Sequence, residues 1–338
     1  MKTKNSIVCC LIALLALPVP GAFAEMPADF SVQLISTFDY PGSGNSTIPE
    51  RISDLGDIVG FYVDLSGVTR GFIRFRNGNF SAPIVDPNDT GGRTEGFGIN
   101  NSRLVCGDYL DEASGALHGY FLMGSMFHNF DVPGSSSTFI LGVNNAGDFC
   151  GSDFPRSGVQ AAFFSLGGVI TEFTVPHATN SLAEQINSSN QVCGFFADRS
   201  FVDHGYYRDS DGAIYAPIDP AGSIGTIIFG NNDSNWMVGR YSDSGGLTHG
   251  LLFIPPNTYI TYDYPGSTFT SLNGINAHGK IVGRYQDSSG IGHGIIARVV
   301  RGAADQSTPG VTPQKQSSQA GPLPSMSEGG RAGVLIAY

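Results

Sequence analysis

Past residue 24, apolar residues fall in short runs rich in Val, Ile, Phe and Tyr, and Gly, Asn, Asp and Ser punctuate the runs. No segment sustains a 3.6-residue apolar period. Runs of this length bounded by turn formers predict β-strands, so the expected class is all-β.

The runs repeat. An apolar residue followed by V-G or C-G recurs with its glycine at Gly60, Gly107, Gly151, Gly194, Gly239 and Gly283, at intervals of 47, 44, 43, 45 and 44 residues. Seven residues before each glycine stands Ser53, Asn100, Asn144, Asn187, Asn232 or Asn276. Four residues after it stands Asp64, Asp111, Pro155, Asp198, Asp243 or Asp287. A small turn and a pair follow: Arg70-Gly71, His118-Gly119, Ala161-Ala162, His204-Gly205, His249-Gly250 or His293-Gly294. Runs such as FDYPG at Phe38, IVDP at Ile84 and YDYPG at Tyr262 close the units.

Each unit reads as four strands, and a four-stranded repeat of about 45 residues is the size of a propeller blade. The sixth unit supplies three strands: FTSLNGIN, GKIVGRYQD and HGIIARV. Its missing fourth resembles SVQLISTFDYP at Ser31–Pro41, ahead of the first full unit. The expectation is a six-bladed β-propeller over residues 25–302, its ring closed by the N-terminal strand completing the last blade, which leaves no free sheet edge.

The ends differ in composition. Lys2 and Lys4, the apolar stretch Ile7–Leu17 and the small-x-small Ala22-Phe23-Ala24 make residues 1–24 read as a secretory signal peptide. No cysteine follows that cleavage site, so a lipoprotein anchor is not expected. The expected location is extracellular or periplasmic. Residues 303–338, rich in Pro, Ser, Gln and Gly, read as a disordered tail. Without residues 1–24 the formal charge is −13, the wrong sign for nucleic acid, whose affinity comes from neutralised phosphates. Membrane insertion is not expected, and a monomer is.

The candidate chemistry belongs mostly to the repeat. Asp111 with His118, Asp198 with His204, Asp243 with His249 and Asp287 with His293 face each other across a hairpin. Asp64 with Arg70 keeps the pattern, while the third unit loses both members together. This pairing favours a structural brace. A ring of ligands for a metal such as zinc and a catalytic pair are the alternatives. The turns DLSG, DSGG and DSSG resemble fragments of calcium loops without the closing Glu, and an Asx-turn explains them equally well. Tyr62, Tyr109, Phe196, Tyr241 and Tyr285 read as packing between blades, with sugar stacking as the alternative. Trp236 reads as strand packing, and His128, His177 and His278 as loop residues. Cys106, Cys150 and Cys193 stand where other units carry Val59, Val238 and Val282, and read as free buried thiols. Glu95, Glu172 and Glu184 fall outside the pattern, and Glu184, in a first strand, is the candidate for a group in the central channel. No cofactor is expected.

The units GINAHGKIVGRYQDSSGIGHGII (Gly274–Ile296) and GINNSRLVCGDYLDEASGALHGYFL (Gly98–Leu122) resemble the HAF-repeat proteins, a group of bacterial extracellular repeat proteins. Here Gly replaces the Ala of the name-giving His-Ala-Phe, and the third unit lacks the His. The resemblance covers almost all of the chain beyond residue 24. It implies secretion and a propeller-like fold, and no established activity. The function expected is a non-enzymatic binding or scaffold module for a glycan or an envelope protein. The alternatives are a polysaccharide lyase or hydrolase working in the channel, and a structural surface-display protein.

Overall fold

The computed structural model describes residues 30–155 and 158–302. The expected signal peptide and C-terminal tail lie outside the described residues. Every regular element within them is a strand.

Strand β1 (Phe30–Phe38) precedes the first blade. Blade 1 comprises β2 (Ser43–Ile52), β3 (Ile58–Asp64) and β4 (Thr69–Arg74). Blade 2 comprises β5 (Thr94–Ile99), β6 (Val105–Asp111), β7 (Ala116–Met123) and β8 (Met126–Phe130). Blade 3 comprises β9 (Ser135–Val143), β10 (Phe149–Pro155), β11 (Ala161–Leu166) and β12 (Val169–Phe173). Blade 4 comprises β13 (Asn180–Ile186), β14 (Val192–Ala197), β15 (Asp203–Arg208) and β16 (Ile214–Ile218). Blade 5 comprises β17 (Ser223–Asn231), β18 (Met237–Asp243), β19 (Thr248–Ile254) and β20 (Thr258–Tyr262). Blade 6 comprises β21 (Thr270–Ile275), β22 (Lys280–Gln286) and β23 (Gly292–Arg301).

Within each blade the strands pair antiparallel in chain order, and β1 supplies the fourth strand of blade 6, pairing with β23 from Phe30↔Arg301 to Phe38↔Gly294. Blade 6 then packs on blade 1, with β22 and β23 against β2 and one parallel bridge at Ser46↔Gly292. The chain is a six-bladed propeller whose ring is closed by its N-terminal strand. Blade 1 departs from the expected four strands. Its outer segment makes only the isolated bridges Gly71↔Ile84 and Arg74↔Phe80. Pro83 and Pro87 offer no N–H there, and the Ser81 hydroxyl takes the Ile73 N–H that a strand would have used.

The repeat glycine has a steric cause. The first strand of every blade carries a β-bulge, at Glu50, Phe97, Leu141, Glu184, Phe229 and Asn273. A Cβ on Gly107 would stand 1.9 Å from the Glu95 carbonyl oxygen just before the bulge, and one on Gly239 would stand 2.0 Å from that of Ile227. No side chain fits there. The glycine of the His-Gly pair is needed at the seam between blades, where a Cβ on Gly205 would lie 2.6 Å from Ile228 of the next blade. Blade 3 has Ala162 instead, and its neighbour supplies Ala183 instead of Ile or Leu. Volume is conserved across that seam.

The repeat asparagine joins the blades. Its Oδ1 accepts backbone N–H bonds from two and four residues on, at 3.0 Å for both Ser234 and Trp236 in the case of Asn232. Its Nδ2 donates to the carbonyl of the equivalent residue in the next blade: Asn100 to Asn144 at 3.0 Å, Asn144 to Asn187 at 3.2 Å, Asn187 to Asn232 at 3.0 Å, Asn232 to Asn276 at 3.1 Å and Asn276 to Ser53 at 3.1 Å. Ser53 is too short to continue, so the belt has one gap. Asn232→Ala should cost about 2–4 kcal/mol in chemical denaturation, from three lost bonds at a buried position. Asn232→Ser, the residue of blade 1, should cost less.

Candidate functional site

Three tiers of the ring bear on function: the channel, the end that holds the asparagine belt, and the opposite end. Two residues after each bulge-preceding position, four blades carry glycine: Gly98, Gly142, Gly230 and Gly274. Blades 1 and 4 carry Arg51 and Gln185 there instead, and these side chains take up the space the glycines leave. Arg51 Nε donates to Gln185 Oε1 at 3.1 Å. Its Nη1 donates to the carbonyls of Glu50 and Asn273 at 3.0 and 2.9 Å, and its Nη2 to those of Glu184 and Phe229 at 2.7 and 2.6 Å. A side chain that leaves blade 1 and bonds blade 4, opposite it in a ring of six, crosses the axis. Arg51 is therefore a plug.

Glu184, the channel candidate from the sequence, is buried beside this plug, its Oε2 3.4 Å from Arg51 Nη2. Burial pushes Glu184 up to about 7, against the pull of Arg51 and Arg240. Burial likewise pushes Glu50 up to about 8, against Arg51 and Arg284. The spacing of the repeat does not reveal Arg51 or Glu50. The signal available was that both break the repeat, as Glu184 does. At the belt end, Asp54, Asn145, Ser188 and Asp233 surround a small polar recess. Asp54 accepts from Ala277 N at 2.9 Å and from Asn101 and Asn145 at 3.0 Å each, so its oxygens are used by the ring itself.

The opposite end carries the turns between second and third strands and the links between blades. Here three of the four predicted histidines, His204, His249 and His293, lie between two carboxylates, and His118 has one. Nδ1 meets the aspartate that ends the fourth strand: His118 with Asp131 at 2.8 Å, His204 with Asp219 at 2.7 Å, His249 with Asp263 at 2.9 Å and His293 with Asp39 at 3.0 Å. Nε2 faces the turn aspartate at longer range: His204 with Asp198 at 3.7 Å, His249 with Asp243 at 3.4 Å and His293 with Asp287 at 3.5 Å. Asp111 instead bonds Ser114 and Thr90. Asp39, Asp131, Asp219 and Asp263 went unassigned in the sequence, although the recurring D of the closing runs marks them. In blade 1, Arg70 pairs with Asp64 at 3.3 Å. There Val85 stands where blades 2, 4, 5 and 6 have the fourth-strand aspartate, because Asp86 falls one residue later in register: its N–H bonds Thr94 as Val132 N–H bonds Thr138.

Each histidine ring also lies against an aromatic of the second strand, with centroids 5.4 Å apart for Tyr109–His118, 5.3 Å for Phe196–His204, 4.9 Å for Tyr241–His249 and 5.1 Å for Tyr285–His293. On its other side Tyr285 stacks on Tyr264 of the preceding blade at 3.6 Å, and Tyr62 on Tyr40 at 4.0 Å. The turn aspartates cap their own turns: Asp243 Oδ1 accepts from Gly245 N at 2.8 Å and Leu247 N at 2.9 Å. Those backbone N–H groups, with the neighbouring histidine, hold Asp243 below the usual carboxylate range, and Asp198 and Asp287 follow suit. These are Asx-turns, the reading that the sequence offered for the DxSG runs beside calcium-loop fragments. Among the described residues, no group of three or more His, Cys, Asp or Glu side chains is placed to hold a metal ion.

The remaining candidates scatter. Glu95 is buried and pairs with Arg93 at 2.6 Å, and Glu172 is exposed on β12. Cys106, Cys150 and Cys193 are free and buried. His128 lies within β8, and Trp236 lies in the turn before β18, with its ring 5.4 Å from Phe30.

No protein-family description matches the chain, and no curated protein aligns with it significantly. Distant similarity to solved propellers exists. The BP39L lectin of Burkholderia pseudomallei is 12% identical, with a TM-score of 0.45 over 76% of this chain and 81% of the lectin. The six-bladed fucose-recognising lectin of Aleuria aurantia is 10% identical, with a TM-score of 0.46 over 81% of this chain and 96% of the lectin. TolB of Acinetobacter baumannii is 10% identical, with a TM-score of 0.49 over 71% of this chain and 65% of TolB. The assignment of the fold rests on the sheet topology above.

The raised carboxyls give a pH prediction. A carboxyl whose folded pKa exceeds its unfolded value of about 4.3 keeps its proton in the native state while the unfolded chain loses it. Stability then falls as pH rises from about 4.5 toward 7–8, by at most about 1.4 kcal/mol per pH unit for each group. Glu184→Gln should flatten part of that decline in urea melts across this window. An unchanged slope would mean that Glu184 is ionised throughout.

Proposed function

We propose that this chain is an extracytoplasmic, non-catalytic propeller of the HAF-repeat kind that binds carbohydrate on the face bearing the His–Asp units. One observation carries the reading: four blades present on that face an aromatic-backed histidine bonded to a fourth-strand aspartate, and three of those aspartates are about half exposed. Asp39, Asp131 and Asp263 keep 51%, 48% and 47% of their side-chain surface exposed. Carboxylates accept hydrogen bonds from sugar hydroxyls, and charge-assisted bonds are the stronger ones.

The same face also exposes apolar groups. Leu65, Leu247 and Phe201 sit in turns after the second strands, and Ile224 sits at the start of β17 in blade 5. Phe201 is 82% exposed. It occupies, at φ +60°, the left-handed position that Gly67, Gly246 and Gly290 fill in other blades. An aromatic held there at a cost of roughly 1–2 kcal/mol suits a surface that stacks on the C–H face of a sugar. The net charge of −11 disfavours anionic polymers, so neutral glycans fit best. Repetition of weak sites around one ring would supply affinity through multivalency. The plugged channel supports the non-catalytic reading, because Glu184 has no open path to a substrate.

Asp263→Asn combined with Asp39→Asn should weaken binding to a neutral polysaccharide about tenfold in affinity electrophoresis, and Phe201→Ala should weaken it by a smaller factor, with folding unchanged in both. Retardation identical to wild type in both variants would refute the reading.

A further inference from the structure

The seam between blades 1 and 2 is built unlike the next one. Between blades 2 and 3 three aromatic rings meet: Phe121 and Phe149 have centroids 4.9 Å apart, Phe130 and Phe149 5.2 Å, and Phe121 and Phe130 6.2 Å. Register places Ile73, Ile84 and Val105 at the corresponding positions one seam earlier. Gly71↔Ile84 matches Gly119↔Phe130, Ile73 and Phe121 each lie two residues past that glycine, and Val105 and Phe149 each lie two residues before the repeat glycine. Three rings are thus replaced by three aliphatic side chains. The outer segment that could have closed the gap is the Ala82-Pro83 stretch that does not form a strand.

The result is a cavity of about 480 Å³, lined by Ile73, Ile84, Val105, Leu122, Phe127 and Phe75, with exposed Ala82 and Gly124 also on its wall. Sites of roughly 300–1,000 Å³ with mostly apolar walls and a few polar groups are typical of small-molecule pockets.

The polar group is Arg103. It takes, at φ +61°, the left-handed turn position that Gly56, Gly147 and Gly279 or Asn190 and Asn235 fill in the other blades. Arginine there costs roughly 1–2 kcal/mol more than glycine. Its Nε donates to buried Asp57 at 2.7 Å, and its guanidinium lies over Phe75 with 5.0 Å to the ring centroid. These contacts hold it at the cavity, half exposed, while neither Nη group bonds any described residue. Four N–H donors of a fixed cation therefore remain at the rim of an apolar hole.

We propose that this seam binds a small apolar carboxylic acid, with its hydrocarbon body in the Ile73/Ile84/Val105 cavity and its carboxylate on the Nη groups of Arg103. The site is independent of the carbohydrate face and lies toward the opposite end of the blades.

Octanoate and its neutral amide, octanamide, are the probes, titrated calorimetrically into the full purified chain. Wild type should take up octanoate saturably at one per chain, and octanamide more weakly. Arg103→Asn, the residue that blades 4 and 5 carry at this turn, should weaken octanoate about 10–100-fold, the value of a charge-assisted pair, and leave octanamide unchanged. Ile73→Phe with Val105→Phe, which restores rings found in the next seam, should abolish uptake of both. Should that variant fail to fold, Ala82→Trp, which puts a large ring at an exposed position of the cavity wall, should do the same. Absence of saturable octanoate uptake by folded wild type overturns the proposal. So does equal octanoate affinity in Arg103→Asn, or retained affinity in a folded filled or blocked variant.

Discussion

A side-chain amide passed from five of the six blades to the next holds the ring in register. A blade of about 45 residues cannot bury its own faces, so it is stable only against two neighbours. Apolar seams alone tolerate sliding. The bond from each asparagine Nδ2 to the neighbour's turn carbonyl does not, because the same asparagine fixes its own turn through Oδ1. One residue type thus couples local turn geometry to inter-blade spacing five times around the axis. The gap at Ser53 falls where Asp54 gathers bonds from Asn101, Asn145 and Ala277, so a different set of contacts reaches across the same blades.

Those constraints explain which parts of the fold could be read from the sequence. Gly107 and Gly239 face a carbonyl pressed toward them by a bulge, and no other residue fits, so the glycines stay in phase and count the blades. The asparagines do the same. Strand β1 was legible because SVQLISTFDYP has the pattern of the strand it replaces. The failed outer strand of blade 1 was harder to see. The run IVDP looks like its counterparts, but its aspartate sits one residue out of register, a displacement that only pairing partners reveal.

The candidate site divides in the same way. Histidine and turn aspartate recur six or seven residues apart, which placed them together in the sequence. The aspartate on Nδ1 comes from the far end of the blade, 13 residues on for His118 and, for His293, from Asp39 at the other end of the chain. Arg51 escaped notice because a single arginine in one unit looks like surface variation. Its role follows from space: four glycines leave a hollow at the axis, and a long side chain with five donors fills it. An arginine that satisfies carbonyls from four blades both seals the channel and ties the ring across its diameter. Any ligand must then use an outer face or a seam.

Hydrogen–deuterium exchange of the chain, with and without a bound neutral polysaccharide, tests that division directly. The account predicts slowed exchange in the turns at 64–70, 198–204, 243–249 and 287–293 and in the links that follow the fourth strands, with the channel tier around Arg51 and Glu184 slow in both states. Protection centred on that tier, together with fast exchange there in the free chain, would contradict it: the channel would then be open and the ligand inside it.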